Sequence, residues 1–280
     1  RGETSFMTEN YANAHTLAGP GRGIVVPNPF TLGTYRVFQR NKDVFLKLWK
    51  TELWPPVVEA LLSLFAFGFG LGVYIAQVNG QPYIQFIGAG LIFSSVLFTA
   101  SFECMFGTFI RMQQEKVFDA IIATPVSIEE VVSGEILFAS TRATFNGTCV
   151  VVVLAVLQLI PSWWVLLVPP VALLTGFLLA SLAVIVTSLV SSFTSFNYYI
   201  TLGVIPMQLF SSVFFPASQL PEGVRWVAFL SPLYPAVELG RALYTGNIHA
   251  GLLLNLLWIL GLTVVFYLLA VNLMRRRLIK

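Results

Sequence analysis

Arg111-Met-Gln-Gln-Glu115-Lys-Val-Phe-Asp119-Ala-Ile-Ile-Ala-Thr-Pro125-Val-Ser-Ile-Glu129-Glu130-Val-Val-Ser-Gly-Glu135 is a polar island in an otherwise apolar sequence. The apolar runs on either side can each supply the roughly 20 residues of a bilayer-crossing helix. A segment this charged has to sit in water at one membrane face. Its reading decides the fold: an all-α integral membrane protein in which the island joins the second and third spans.

The island has internal order. Val117 and Ile121, and Phe118 and Ile122, are spaced i,i+4 and form one apolar strip, with Arg111, Glu115, Lys116 and Asp119 around it. Thr124-Pro125 ends this helix, because the residue before proline resists the α region. Ser127 followed by Glu130 is a capping box for the next helix, and Glu129 and Glu130 suit a helix N-terminus electrostatically. The island's first helix either lies flat on lipid or docks into a groove on a cytoplasmic partner. Its acidic rim is repelled by an anionic leaflet, which favours docking.

Composition agrees with a membrane protein. Of 280 residues, 56% are hydrophobic and 10% charged, where a soluble domain carries about 25% charged residues. The net charge of +3 comes without a long basic run and gives no support to nucleic-acid binding. Cys104 and Cys149 lie in or next to apolar spans and read as small packing residues rather than a disulfide. His15 and His249 are isolated, and no metal motif accompanies them. The first fifty residues hold no apolar core of signal-peptide length, and Met7 is a plausible start.

Outward from the island, six spans are expected near 55–76, 83–107, 132–159, 163–189, 198–215 and 250–273. Gln77-Val-Asn-Gly-Gln-Pro82 reads as a turn, Ile160-Pro-Ser-Trp-Trp164 as a turn with interfacial aromatics, and 191–197 as a polar link. Residues 1–29 are rich in Gly, Pro and Asn and read as a flexible segment; 30–280 form the membrane domain. Residues 31–52 are amphipathic: Tyr35, Phe38, Phe45, Leu48, Trp49 and Leu53 recur at helical spacing, with Arg36, Arg40, Lys47 and Lys50 mostly on another face. Such a helix rests at the membrane surface. Arg1, Arg22, Arg36, Arg40, Lys42, Lys47 and Lys50, the tail Arg275, Arg276, Arg277 and Lys280, and Arg111 and Lys116 all fall on one side, with Arg225 and Arg241 as exceptions. The positive-inside rule puts both termini and the island in the cytoplasm.

Residues 216–249 are broken by Pro216, Pro221, Pro232 and Pro235 into apolar pieces too short to cross. They read as two re-entrant helices on the outer side, covered by protein, with a loop lying flat on the surface as the alternative. Glu59, Glu103, Glu135 and Arg142 fall within or near spans, where each charge costs about 3 kcal/mol on insertion scales. Glu135 and Arg142 are seven apart and share a helix face, so Arg142 is expected to pair with Glu135 or Glu103. Asn146-Gly-Thr148 matches a glycosylation sequon but sits inside a span. Aromatics including Tyr198, Tyr199, Phe210 and Phe214 cluster around the fifth span and either line a path or simply pack.

The basic amphipathic helix, the charged helix between spans two and three, and the broken segment Phe214-Phe-Pro-Ala-Ser-Gln-Leu-Pro221…Leu230-Ser-Pro-Leu-Tyr-Pro235…Arg241 together resemble bacterial type-2 ABC exporter permeases. The run Phe102-Glu-Cys-Met-Phe-Gly-Thr-Phe-Ile-Arg-Met-Gln113 is similar to the nodulation-factor exporter (NodJ-like) branch. The resemblance covers residues 30–280. It implies a permease dimer in the bacterial inner membrane, carried by two cytoplasmic ABC ATPase subunits that hold ATP and Mg. It makes 31–52 an interface helix and 111–123 a coupling helix in which Glu115, Phe118, Asp119 and Ile122 contact the ATPase. It implies a path lined by spans one and five, and an amphipathic cargo such as a lipo-oligosaccharide, lipid-linked glycan or hydrophobic drug. Independently, none of the lysines (42, 47, 50, 116 and 280) follows a glycine, so the chain holds no Walker loop and no cofactor site of its own is expected. A lipid-modifying membrane enzyme would need convergent catalytic groups, and Glu59, Glu103 and Glu135 are scattered. A passive channel would not need a helix shaped for docking.

Overall fold

The computed structural model describes residues 29, 31–75, 77–78, 80–113, 126–190 and 192–278. Helix α1 (Leu32–Lys47) starts at Thr31, whose side chain accepts the Thr34 N–H at 3.3 Å. The chain bends at Leu48, and α2 (Trp49–Val73) begins there rather than at the Pro55-Pro56 pair, which it carries internally. A short antiparallel hairpin, β1 (Gln77–Val78) and β2 (Gln81–Pro82), makes the expected turn. The remaining long helices are α3 (Tyr83–Gln113), α4 (Ile128–Val156) and α5 (Trp163–Leu189), with α6 running as Phe193–Tyr199, Ile200–Val204 and Ile205–Phe210. Then come α7 (Glu222–Leu230), α8 (Tyr234–Thr245) and α9 (Gly251–Leu278).

Five of these, α2, α3, α4, α5 and α9, are long and apolar enough to cross a membrane. The sixth expected span, 198–215, falls on α6, which is less apolar because of Asn197 and Gln208 and stops at Phe210, where the chain turns. Helix α3 is the centre: 78% of its most apolar window is buried, against 22% for α2 and for α9. Helices α3, α4 and α5 pack side by side, α9 lies along α5, and α1 lies along α4. The face of α1 turned to α4 is small and polar, Gly33, Thr34, Val37 and Asn41, while Tyr35 stays exposed. Leu48 and Trp49, past its end, are exposed as well. That is the arrangement a membrane-surface helix needs when one side is gripped by the bundle.

The broken segment splits into two unlike halves. Helix α8 is buried along Pro235, Ala236, Val237, Leu239, Gly240, Ala242, Leu243 and Tyr244. Helix α7 buries Ala228 and leaves Trp226, Val227, Phe229 and Leu230 exposed. The turn before them, Ser211–Phe214, is irregular backbone held inside the protein, with Ser212 at φ 63°. Gly90 on α3 makes this possible, since a Cβ there would stand 2.4 Å from the Val213 carbonyl oxygen. Arg241 completes the corner: it donates to Ser212 Oγ (3.2 Å) and to Glu238 (2.8 Å), binds the Ser212 carbonyl, and lies 3.9 Å from the Phe86 ring centre. Tyr244 ties the same corner to the α4–α5 turn through the Leu159 carbonyl at 2.6 Å.

Candidate functional site

At the end of the bundle that carries Arg275–Arg277, the start of α4 is built as its sequence dictates. Ser127 Oγ accepts the Glu130 N–H (3.3 Å) and Glu130 returns a carboxylate to the Ser127 N–H (2.9 Å). Arg275 of α9 pairs with Glu129 at 3.2 Å, and Arg277 donates to the Val190 carbonyl at the end of α5 (2.6 Å). These contacts fix the start of α4 within the bundle.

Beside them runs a chain of charges through four helices. Glu135 of α4 is 1% exposed at its side chain. It accepts from Asn41 of α1 (2.8 Å), Thr108 of α3 (3.1 Å) and Arg111 Nε of α3 (2.9 Å). Arg111 Nη2 also donates to Glu103 at 2.9 Å. The second Glu103 oxygen takes Arg142 of α4, whose other guanidinium nitrogen binds Glu52 of α2. The Arg142 guanidinium also lies 5.9 Å from the Phe45 ring of α1. The order is Asn41–Glu135–Arg111–Glu103–Arg142–Glu52. Three carboxylates against two guanidiniums leave one net negative charge, moderated by the Asn41 and Thr108 donors. Buried charges are tolerated only when paired and hydrogen-bonded in this manner.

Local backbone geometry brings the groups together. Helix α3 widens to a π-helical turn over Glu103–Gly107. Gly107 leaves the room: a Cβ there would lie 2.7 Å from Glu103 Oε1 and 3.2 Å from Arg111 Nη2. A cavity of about 290 Å³ opens next to the chain of charges, between Phe102, Phe106, Arg142 and Asn146. Asn146, the sequon residue, is used inside the bundle, donating to Thr99 at 2.8 Å.

Of the charges singled out from sequence, Glu103 and Arg142 meet directly, and Glu135 joins them through Arg111 instead of touching Arg142. Arg111 belongs to the last turns of α3 and points inward, not to the rim of the island's helix. Glu115, Phe118, Asp119 and Ile122 lie outside the described residues. The four aromatics proposed for a path do not share one surface. Tyr198 is exposed, Tyr199 and Phe210 are half-buried, and Phe214 is buried with its ring centre 5.0 Å from that of Phe67. Phe193 and Phe196 join Phe106 and Phe109 in an aromatic cluster that clamps α6 to α3, ring centres 4.8 to 6.4 Å apart.

Sequence reasoning missed Glu52, Asn41 and Thr108. Glu52 left a signal: it is an acidic residue at the border of a span on the side where basic residues gather. Asn41 left a weaker one, a short polar residue on the small-residue face of an amphipathic helix. Among the described residues no group of His, Cys, Asp and Glu is arranged to hold a metal ion.

Residues 35–245 match the family described as ABC-2 type transporter. The chain is 35% identical over 244 residues to "Nodulation protein J" of Sinorhizobium fredii (strain NBRC 101917 / NGR234), covering 87% of this chain and 93% of that protein. It is 35% identical over 244 residues to the protein of the same name in Rhizobium meliloti (strain 1021), covering 86% and 92%. It is also 24% identical over 236 residues to "Inner membrane transport permease YadH" of Escherichia coli (strain K12), covering 83% and 90%.

Proposed function

The chain belongs to the ABC-2 type transporter family as a multi-pass membrane permease, and on that premise we propose that it exports an amphipathic glycolipid, a lipo-oligosaccharide or a lipid-linked glycan. ATP hydrolysis takes place in a separate cytoplasmic subunit, two copies of which serve a permease dimer in the inner membrane. The basic end of the bundle faces the cytoplasm, in keeping with the placement of Lys and Arg. The cargo follows from the likeness to the two nodulation proteins, whose identity of 35% exceeds that to the Escherichia coli permease, 24%.

The observation that carries the coupling mechanism is the chain of charges at the root of α3. Helix α3 leads directly into residues 114–125, and its last turns are bonded to α4 through Glu135 and, by way of Arg142, to α2 through Glu52. A push on 114–125 is therefore delivered to the membrane-surface helix α1 and to the lightly buried span α2 at the same moment. Coupling of this kind needs a stiff, two-state connection, which a hydrogen-bonded set of charges supplies better than lipid-facing apolar contacts do. In this mechanism Glu115, Phe118, Asp119 and Ile122 meet the ATPase.

The test is reconstitution with the ATPase in proteoliposomes. Phe118→Ala and Asp119→Lys are expected to leave the complex assembled and ATP hydrolysis measurable while export falls at least about tenfold, the effect of losing roughly 1.4 kcal/mol of coupling. Normal export by both variants would reduce residues 114–125 to a linker.

A further inference from the structure

One carboxylate inside the membrane has no partner among the described residues. Glu59 lies on α2 about 10 Å along the axis from Glu52 at the border of the span, about a third of the way into a hydrocarbon core about 30 Å thick. Among the described residues no hydrogen bond or ion pair reaches it, whereas Glu52, Glu103 and Glu135 are all paired. A carboxylate inside the hydrocarbon core costs up to about 3 kcal/mol and marks a contact with something other than lipid.

Glu59 is exposed on α2 and stands at the edge of a concave, half-polar surface. Glu59 lines a cavity of about 60 Å³ between α2, α3, α4 and α6, together with Ser63, Ser94, Ser95 and Gln208. Gln208 Nε2 donates to Ser94 Oγ at 2.8 Å, which fixes the amide and leaves its oxygen as an acceptor. Phe67 and Phe214 form the apolar wall. Two of the lining helices depart from α geometry beside it: π-helical turns occupy Leu64–Gly70, just after Ser63, and Ile200–Val204, just before the stretch with Gln208. Such turns recur at functional sites.

We propose that Glu59, Ser63 and Gln208 form a binding site for the hydroxyl and amide groups of a glycosyl headgroup; its role in transport rests on the exporter reading above. The carboxylate and the Gln208 oxygen accept hydrogen bonds, the serine hydroxyls give and take them, and the phenyl rings offer an apolar face. That set matches a sugar, with many O–H and N–H donors and an apolar edge. A quaternary ammonium group has no N–H to donate, so it would use the carboxylate's charge and leave the serines and the amide unmatched. The cavity holds about two groups the size of water. A hydroxymethyl or acetamido substituent enters it, and the ring itself rests outside against the exposed face of α2.

The test measures binding of dodecyl maltoside, dodecyltrimethylammonium and dodecanol, each below its micellar concentration, to the intact permease–ATPase complex in nanodiscs. Uptake by empty nanodiscs is subtracted. Dodecyl maltoside is expected to bind most tightly, to weaken about tenfold in Glu59→Gln, and to lose its excess binding in Glu59→Leu. Dodecanol is expected to bind equally to all three proteins, and dodecyltrimethylammonium to bind the wild type less tightly than dodecyl maltoside does. Both variants remove a charge inside the hydrocarbon core, which favours insertion, and unchanged thermal melting confirms that they fold. Preference for the ammonium probe, or maltoside binding that is absent from the wild type or indifferent to both variants, overturns the proposal. ATP-driven uptake of dodecyl maltoside into proteoliposomes separates the two readings. Binding without uptake sinks the exporter reading and keeps the site; uptake with variant-insensitive binding does the reverse.

Discussion

At the residue scale, the buried charges behave as one unit. Arg111 serves both Glu135 and Glu103, so removing it leaves Glu135, 1% exposed at its side chain, without a cation and Glu103, 5% exposed, with Arg142 alone. Arg111→Ala is expected to cost about 3–5 kcal/mol, the usual penalty for leaving a buried charge unpaired. Adding Glu135→Gln removes the stranded charge, keeps one acceptor oxygen for Asn41 and offers an N–H to the Thr108 hydroxyl, so the double variant is expected to recover stability over the single one. The measurement is resistance to unfolding in an SDS titration, and strictly additive losses would show that the pair is not coupled. The sequence led partway here. The seven-residue spacing put Glu135 and Arg142 on one face of α4. Spacing says which residues of one helix face the same way, but not which charges a neighbouring helix brings to meet them. The π-helical turn at Glu103–Gly107 turns Arg111 inward, and nothing in residue spacing announces that turn.

At the element scale, α8 is the clearest case of a helix positioned by one side chain. Arg241 holds the carbonyl of Ser212, which sits in the left-handed region, and α8 in turn covers the turn beneath it. Arg241→Met keeps the length and apolar stem but removes the donors, which are worth roughly 1.5–3 kcal/mol for a charged hydrogen bond. Amide exchange over 211–216 is expected to accelerate at least about tenfold, with α4 and α5 protected as before. If protection there is unchanged, the corner is held by apolar packing around Gly90 instead. The prolines at 216, 221, 232 and 235 announced that this region is broken. They could not say that α8 is buried and α7 exposed, because both pieces are short and apolar and only their neighbours differ.

At the scale of the whole molecule, the uneven burial of the spans is the main feature. Helix α3 is enclosed, while α2 and α9 are 22% buried in their most apolar windows. Their exposed faces carry large apolar side chains such as Leu62, Phe65, Leu254 and Trp258. In a membrane such faces meet lipid or a second copy at no hydrophobic cost. Orientation is tested by cysteine labelling. Gln158→Cys, at the α4–α5 turn, is expected to react with a membrane-impermeant maleimide on intact cells, and Arg276→Cys only after permeabilisation. The native thiols, Cys104 and Cys149, are buried and give little background. Labelling of both positions on intact cells would contradict the assigned orientation.

The sequence by itself determined the class of this protein, its long spans and the start of α4. Those features depend on local quantities: the length of an apolar run, the position of a proline, and the three-residue reach of the Ser127–Glu130 box. It also marked the membrane charges, because each is costly wherever it ends up. The tertiary structure alone decided their partners. Glu52, Glu103, Arg111, Glu135 and Arg142 come from three helices, with Asn41 from a fourth, and Glu59 shares a cavity with Gln208. Pairing depends on helix rotation and depth, which are set by packing between elements far apart in sequence.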